Sequence, residues 1–102
     1  MREASFRTNF INKFCERTNK KLYSDIFVEF ADPGRVNGIP DLIIFYKNKH
    51  ARIETKRSKD ASKRLHQEYY INKFKQEGIY SEFLTPENEE EIINGLRRYF
   101  KI

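Results

Sequence analysis

Two apolar runs, Leu42-Ile43-Ile44-Phe45-Tyr46 and Ala51-Arg52-Ile53, flank a short polar stretch, Lys47-Asn48-Lys49-His50. Short runs rich in β-branched and aromatic residues, split by so brief a polar segment, read as an antiparallel hairpin. A hairpin dictates neighbours. Asp41 stands just before the first strand and Glu54 follows Ile53 in the second, so the two acids lie side by side at the end away from the turn. Side chains alternate faces along a strand. Arg52, Glu54 and Lys56 therefore share one face, and Ala51, Ile53 and Thr55 share the other. Asp41, Ile43 and Phe45 share a face of the first strand, so Asp41, Glu54 and Lys56 are expected to meet at one sheet edge.

Two carboxylates beside one amine have a recognisable use. A hard cation such as Mg²⁺ takes oxygen ligands and keeps several waters, so two carboxylates and one backbone carbonyl suffice to hold it. The carbonyl of Thr55 is the natural third ligand. Lys56 would orient and polarise an attacking water, or steady charge developing on a phosphate. The simpler alternative is a surface hairpin with an exposed Glu-Lys pair, since Glu-x-Lys recurs by chance in chains rich in both residues. What favours a site is that pair at hairpin distance from Gly38-Ile39-Pro40-Asp41.

Around the hairpin, Phe6, Phe10, Ile11 and Phe14 recur at helical spacing from Arg2 to about Thr18, with Lys20 and Lys21 ending the helix. Ile26 to Phe30 reads as a strand, and Asp32-Pro33-Gly34 opens a loop that runs to Pro40. A helix is expected from about Ala61 to Gln76, stopped by Gly78. Tyr80 to Leu84 reads as a fourth strand. Thr85-Pro86-Glu87 starts a last helix, with Thr85 as its N-cap. That helix carries Ile92, Ile93, Leu96, Tyr99 and Phe100 on one side. The order α-β-β-β-α-β-α suits an α/β domain, a mixed four-stranded sheet flanked by helices, with the middle helix as a crossover. The 102 residues are enough for one domain, residues 1–102, with a small core filled by large aromatics, nine Phe and six Tyr.

The net charge is +5. Lys47, Lys49, Arg52, Lys56, Arg57, Lys59, Lys63 and Arg64 crowd one stretch against Glu54 and Asp60 alone, while Glu87, Glu89, Glu90 and Glu91 gather elsewhere. A basic stretch beside the proposed metal site suits a polyanion; a solvated lysine-rich surface is the plainer reading. A single cysteine, Cys15, excludes an intrachain disulfide framework and a cysteine metal site. His50 and His66 lack ligand spacing. No stretch has the length of a membrane span and no signal-peptide core opens the chain, so a cytosolic location is expected.

Two polar residues lie on apolar helical stripes. Glu3 continues the line of Phe6, Phe10 and Phe14, and a carboxylate there needs a metal, a lysine or water as partner. Gln67 shares a face with Tyr70, Ile71 and Phe74. An amide on a packed face must have its hydrogen bonds met. It would hold Lys56, a water or a phosphate, or else act as a structural glutamine.

Taken together, Pro33-Gly34-Arg35, Gly38-Ile39-Pro40-Asp41-Leu42, Ile53-Glu54-Thr55-Lys56, Leu65-His66-Gln67 and Gly78 resemble the virus-type replication-repair nucleases (VRR-NUC), a family of PD-(D/E)xK nucleases. The resemblance runs from Arg2 to Leu84. It implies a restriction-endonuclease-like fold, dependence on Mg²⁺ or Mn²⁺, and hydrolysis of DNA phosphodiesters. It maps that family's site onto Glu3, Asp41, Glu54, Lys56 and Gln67, with Asp41, Glu54, the Thr55 carbonyl and Glu3 toward the metal. Small standalone members, many from phages and their bacterial hosts, are similar to homodimeric resolvases of branched DNA such as Holliday junctions. A homodimer in the bacterial or phage-infected cytoplasm is the corresponding expectation. The chain departs from the pattern in the extra residue of Val36-Asn37, in Tyr69 and Tyr70 where tryptophan is frequent, and in the helix after Leu84.

The function expected is a metal-dependent endonuclease. Arg35, Lys47, Lys49, Arg57, Lys59, Lys63 and Arg64 are expected to contact the DNA backbone. The alternatives are a nucleic-acid-binding module that does not cut, and a subunit of a larger complex. Tyr99 and Phe100 either form a dimer contact or pack on their own sheet.

Overall fold

A computed structural model describes residues 3–32 and 34–102, leaving aside the side chain of Glu3. α1 (Glu3–Thr18) forms around Phe6, Phe10, Ile11 and Phe14, all buried. The Thr18 hydroxyl donates to the Phe14 carbonyl at 2.9 Å, and Asn19 takes a left-handed φ of 56°. That geometry closes the helix, so Lys20 and Lys21 follow its stop and do not cause it.

β1 (Ile26–Phe30), β2 (Leu42–Tyr46) and β3 (Lys49–Thr55) run antiparallel, and β4 (Tyr80–Leu84) joins β3 in parallel, in the spatial order β1-β2-β3-β4. The hairpin turn is tighter than the polar stretch suggests. Tyr46 pairs with Lys49, which leaves Lys47 and Asn48 to turn, and Lys47 adopts a left-handed φ of 55°. The parallel step from β3 to β4 needs a crossover, supplied by α2 (Leu65–Gln76).

α2 begins at Leu65, later than the Ala61 start expected from the sequence. Residues 57–64 carry no large apolar side chain with which to seat a helical turn on the sheet, and they form turns instead. Gly78, at φ 81°, reverses the chain after α2. Beyond β4, a 3-10 turn (Pro86–Asn88) precedes α3 (Glu89–Phe100). Thr85 caps this turn as expected, and its N–H bonds in return to Asn88 Oδ1 at 2.8 Å.

One side of the sheet holds the core. Val28, Leu42, Ile44, Ala51, Ile53 and Leu84 pack with Phe6, Phe10 and Phe14 of α1 and Ile92, Ile93, Leu96 and Phe100 of α3. Removing this apolar area from water is the main stabilising term. Lys13–Glu89 and Arg17–Glu90 ion pairs link α1 to α3. α2 covers β3 and β4 on the opposite side, where Ile71 is buried and the Arg52 guanidinium lies 4.8 Å from the Phe74 ring centre. Phe100 is buried and the Tyr99 hydroxyl donates to the His50 carbonyl at 2.8 Å, so both residues pack inside their own domain.

Candidate active site

The strand register sets the acids. Leu42 pairs with Ile53 across the hairpin and Phe30 pairs with Leu42 across β1–β2. One step further along these ladders Asp41 faces Glu54. The Asp41 carbonyl accepts from the Ala31 N–H at 3.0 Å, which ties it to the end of β1. On the far side, the Lys56 N–H bonds to the Leu84 carbonyl at 2.8 Å and fixes Lys56 against β4. Sites held on strand ends are more rigid than sites held on loops.

Asp41 Oδ1 accepts from the Thr55 N–H at 3.0 Å and from the Thr55 hydroxyl at 3.3 Å. Its Oδ2 accepts from Arg7 Nη1 at 3.1 Å. Burial pushes the Asp41 carboxyl above its ordinary range; the Thr55 N–H and the Arg7 guanidinium pull it back without cancelling the rise. Gln67 bridges the other two groups. Its Nε2 donates to Glu54 Oε2 at 3.2 Å, while its Oε1 accepts from Lys56 Nζ at 2.7 Å and from the Arg64 N–H at 3.2 Å. Lys56 Nζ lies 4.0 Å from Glu54 Oε2, and both residues are only 8 % exposed. Gln67 thus holds a buried ammonium beside a buried carboxylate, and it also satisfies a backbone donor at the start of α2.

The loop before Asp41 presses α2 into place. Gly38 has φ 86°, and a Cβ there would lie 2.5 Å from His66 Cβ and 2.9 Å from the Gln67 amide nitrogen. Only glycine accepts both conditions. Beside it, Asn37 Nδ2 and His66 Nδ1 are 3.1 Å apart. The result is a cleft of about 380 Å³ lined by Arg7, Phe30, residues 37–39, Asp41, Glu54, Arg64 and Gln67.

The structure brings Asp41, Glu54, Thr55 and Lys56 together as the hairpin reading expects, and adds Gln67 from the packed face of α2. Glu3 opens α1 one turn before Arg7, but its side chain lies outside the described residues, as does Pro33. Among the described residues no three His, Cys, Asp or Glu side chains gather, so the acids there are Asp41 and Glu54. Arg57, Lys59, Lys63 and Arg64 are exposed on the 56–64 connection after Lys56, and Arg35 is exposed on the loop before Asp41. Lys47 and Lys49 are elsewhere. They sit at the hairpin turn, the opposite end of β2 and β3 from the acids, because a strand separates the two ends. Lys49 Nζ donates to the Tyr99 carbonyl at 3.0 Å near the end of α3, a structural contact.

Arg7 is the residue that sequence reasoning missed. It pairs with Asp41, and its guanidinium lies 4.5 Å from the Phe30 ring centre. Its Nε is buried without a hydrogen-bond partner among the described residues. The available signal was its place in the first helix one turn after Glu3, beside a phenylalanine stripe.

No protein-family model matches this chain, and no curated protein matches it. Among solved structures, a chain described as a "VRR_NUC domain protein" superposes with a TM-score of 0.71 at 18% identity, covering 99% of this chain and 89% of that one. The fold expected from the motifs is therefore the fold observed: a VRR-NUC-like mixed four-stranded sheet flanked by helices.

Proposed function

We propose that this protein is a divalent-metal-dependent endodeoxyribonuclease. The observation that carries the reading is the convergence of two carboxylates, Asp41 and Glu54, in the wall of one cleft, with Lys56 held beside Glu54 by Gln67. The donor set fits Mg²⁺ or Mn²⁺: it consists of oxygen atoms only, with no thiolate and no imidazole. Asp41, Glu54 and the Thr55 carbonyl would hold the ion, with Glu3 assigned by motif resemblance alone. When bound, such an ion supplies charge neutralisation at the phosphate and lowers the pKa of water.

The chain's own groups would do the rest. The Lys56 side chain lies beside Glu54, placed to steady the negative charge that grows on phosphoryl oxygens as a water oxygen bonds to phosphorus and a P–O bond breaks. Gln67 is a positioning residue: it fixes the Lys56 ammonium and the Glu54 carboxylate relative to each other. Arg64, Arg57, Lys59, Lys63 and Arg35 would bind the flanking backbone without reading its sequence. The motif resemblance supports two finer expectations, branched DNA as substrate and a homodimer whose paired sites suit a symmetric junction.

The test is cleavage of plasmid and of synthetic four-way junctions with Mg²⁺, Mn²⁺ or EDTA, alongside a solution mass. Metal-dependent products are expected, lost in Asp41→Ala, Glu54→Ala and Lys56→Ala while DNA binding persists. Binding without product under both metals would instead identify a non-cleaving module, and activity only with an added protein would identify a subunit.

A further inference from the structure

Phe30 is an exposed aromatic at a polar site. By strand alternation it belongs with Ile26 and Val28, which are buried in the core, yet it is 52 % exposed. It lies in the wall of the cleft that holds Asp41 and Glu54. Its position is fixed: it pairs with Leu42 in the sheet, and the next residue, Ala31, bonds to the Asp41 carbonyl at 3.0 Å. A single guanidinium joins the ring to the catalytic acid, because Arg7 bonds Asp41 with one nitrogen while lying over Phe30. Ring and acid are thus held as one unit, and much of the ring still faces solvent.

An exposed planar apolar ring at the lip of an anionic-substrate cleft has one natural occupant in DNA, the face of a base. Bases inside an intact duplex are already stacked on one another and cannot offer that face. Unpaired or splayed bases can, and they stack on aromatic side chains without regard to sequence. We propose that Phe30, braced by Arg7, is a stacking platform for an unpaired base flanking the scissile phosphate, so that the cleft selects DNA with an interrupted helix over plain duplex. The inference rests on the nuclease reading and adds to it a structural reason for substrate choice.

The chain contains no tryptophan, so Phe30→Trp introduces a single fluorescent reporter at the platform. The experiment is done in EDTA, where binding can be followed without turnover. It uses a labelled duplex with an unpaired thymine tract and a matched blunt duplex, with anisotropy reporting binding and tryptophan emission reporting stacking. Quenching by the interrupted DNA beyond that by blunt duplex is expected. Phe30→Ala should lower the preference for interrupted DNA about tenfold, and Phe30→Tyr should restore it. Bound DNA that leaves the emission unchanged, or a Phe30→Ala protein with the wild-type preference ratio, would overturn the platform. DNA that binds and quenches but is never cut with Mg²⁺ or Mn²⁺ would sink the nuclease reading and leave the platform standing. Failure to bind either DNA would sink both.

Discussion

Replacing Gly38 and Gly78 in turn by alanine separates two costs that usually come together. Both glycines have left-handed backbone, at φ 86° and 81°. A Cβ in such a conformation costs about 1–2 kcal/mol whatever surrounds it. Gly78 has nothing within 4 Å of an added Cβ, so that cost is the whole effect. At Gly38 the added carbon would lie 2.6 Å from the backbone carbon of His66, which cannot swing away as a side-chain tip can. The loop must lift from α2, and overpacking of this kind adds about 1–3 kcal/mol. Urea unfolding reads the difference: with a slope of about 1–3 kcal/mol per molar, Gly38→Ala should have a midpoint lower than Gly78→Ala by roughly 1 M. Because the lifted loop frees the start of α2, Gly38→Ala should also lose activity while still folded. Equal midpoints for the two variants would refute the proposed clamp between the loop and Gln67.

Three further predictions follow from the site. Gln67→Ala should cut the rate of cleavage by roughly a hundredfold with little change in DNA affinity, measured by single-turnover kinetics, since it removes the group that positions Lys56; an equal loss in affinity would contradict that role. Because burial raises the Asp41 pKa in the folded chain, metal-free protein loses stability as pH rises from the unfolded carboxyl pKa through the folded one. Asp41→Asn should therefore melt higher than the parent in EDTA at neutral pH, with the two converging below the carboxyl range; a gap that widens toward acid would reverse the sign. Removing the Arg64 side chain should flatten the dependence of DNA affinity on salt by about 0.9 in the log–log slope for one lost phosphate contact, whereas Lys47→Ala, at the far end of the hairpin, should leave the slope unchanged.

The hairpin was legible because alternation and length alone determine which ends meet. Asp41, Glu54 and Lys56 could be placed on one face before any contact was known. Gln67 was legible for the same reason, as an amide on an otherwise apolar helical face. Arg7 was not, because its role depends on how α1 packs across the sheet, and helical periodicity does not encode that docking. Lys47 and Lys49 were grouped with the site through closeness in sequence, although the strands carry them to its opposite end. The sequence of residues 61–64 tolerates a helix, yet α2 begins only at Leu65 because those residues carry no large apolar side chain to anchor on the sheet. Gly38 was read as part of a motif, and only its contact with His66 gives that motif a mechanical reason.

The most direct measurement of the central claim is binding of Mn²⁺ itself, followed by electron paramagnetic resonance in the presence of uncleavable phosphorothioate DNA. The parent protein should remove Mn²⁺ from the free signal at a saturable site, and the Asp41→Ala/Glu54→Ala double variant, still folded by circular dichroism, should not. Equal uptake by both proteins would contradict the assignment of these two carboxylates to a metal-dependent cutting site.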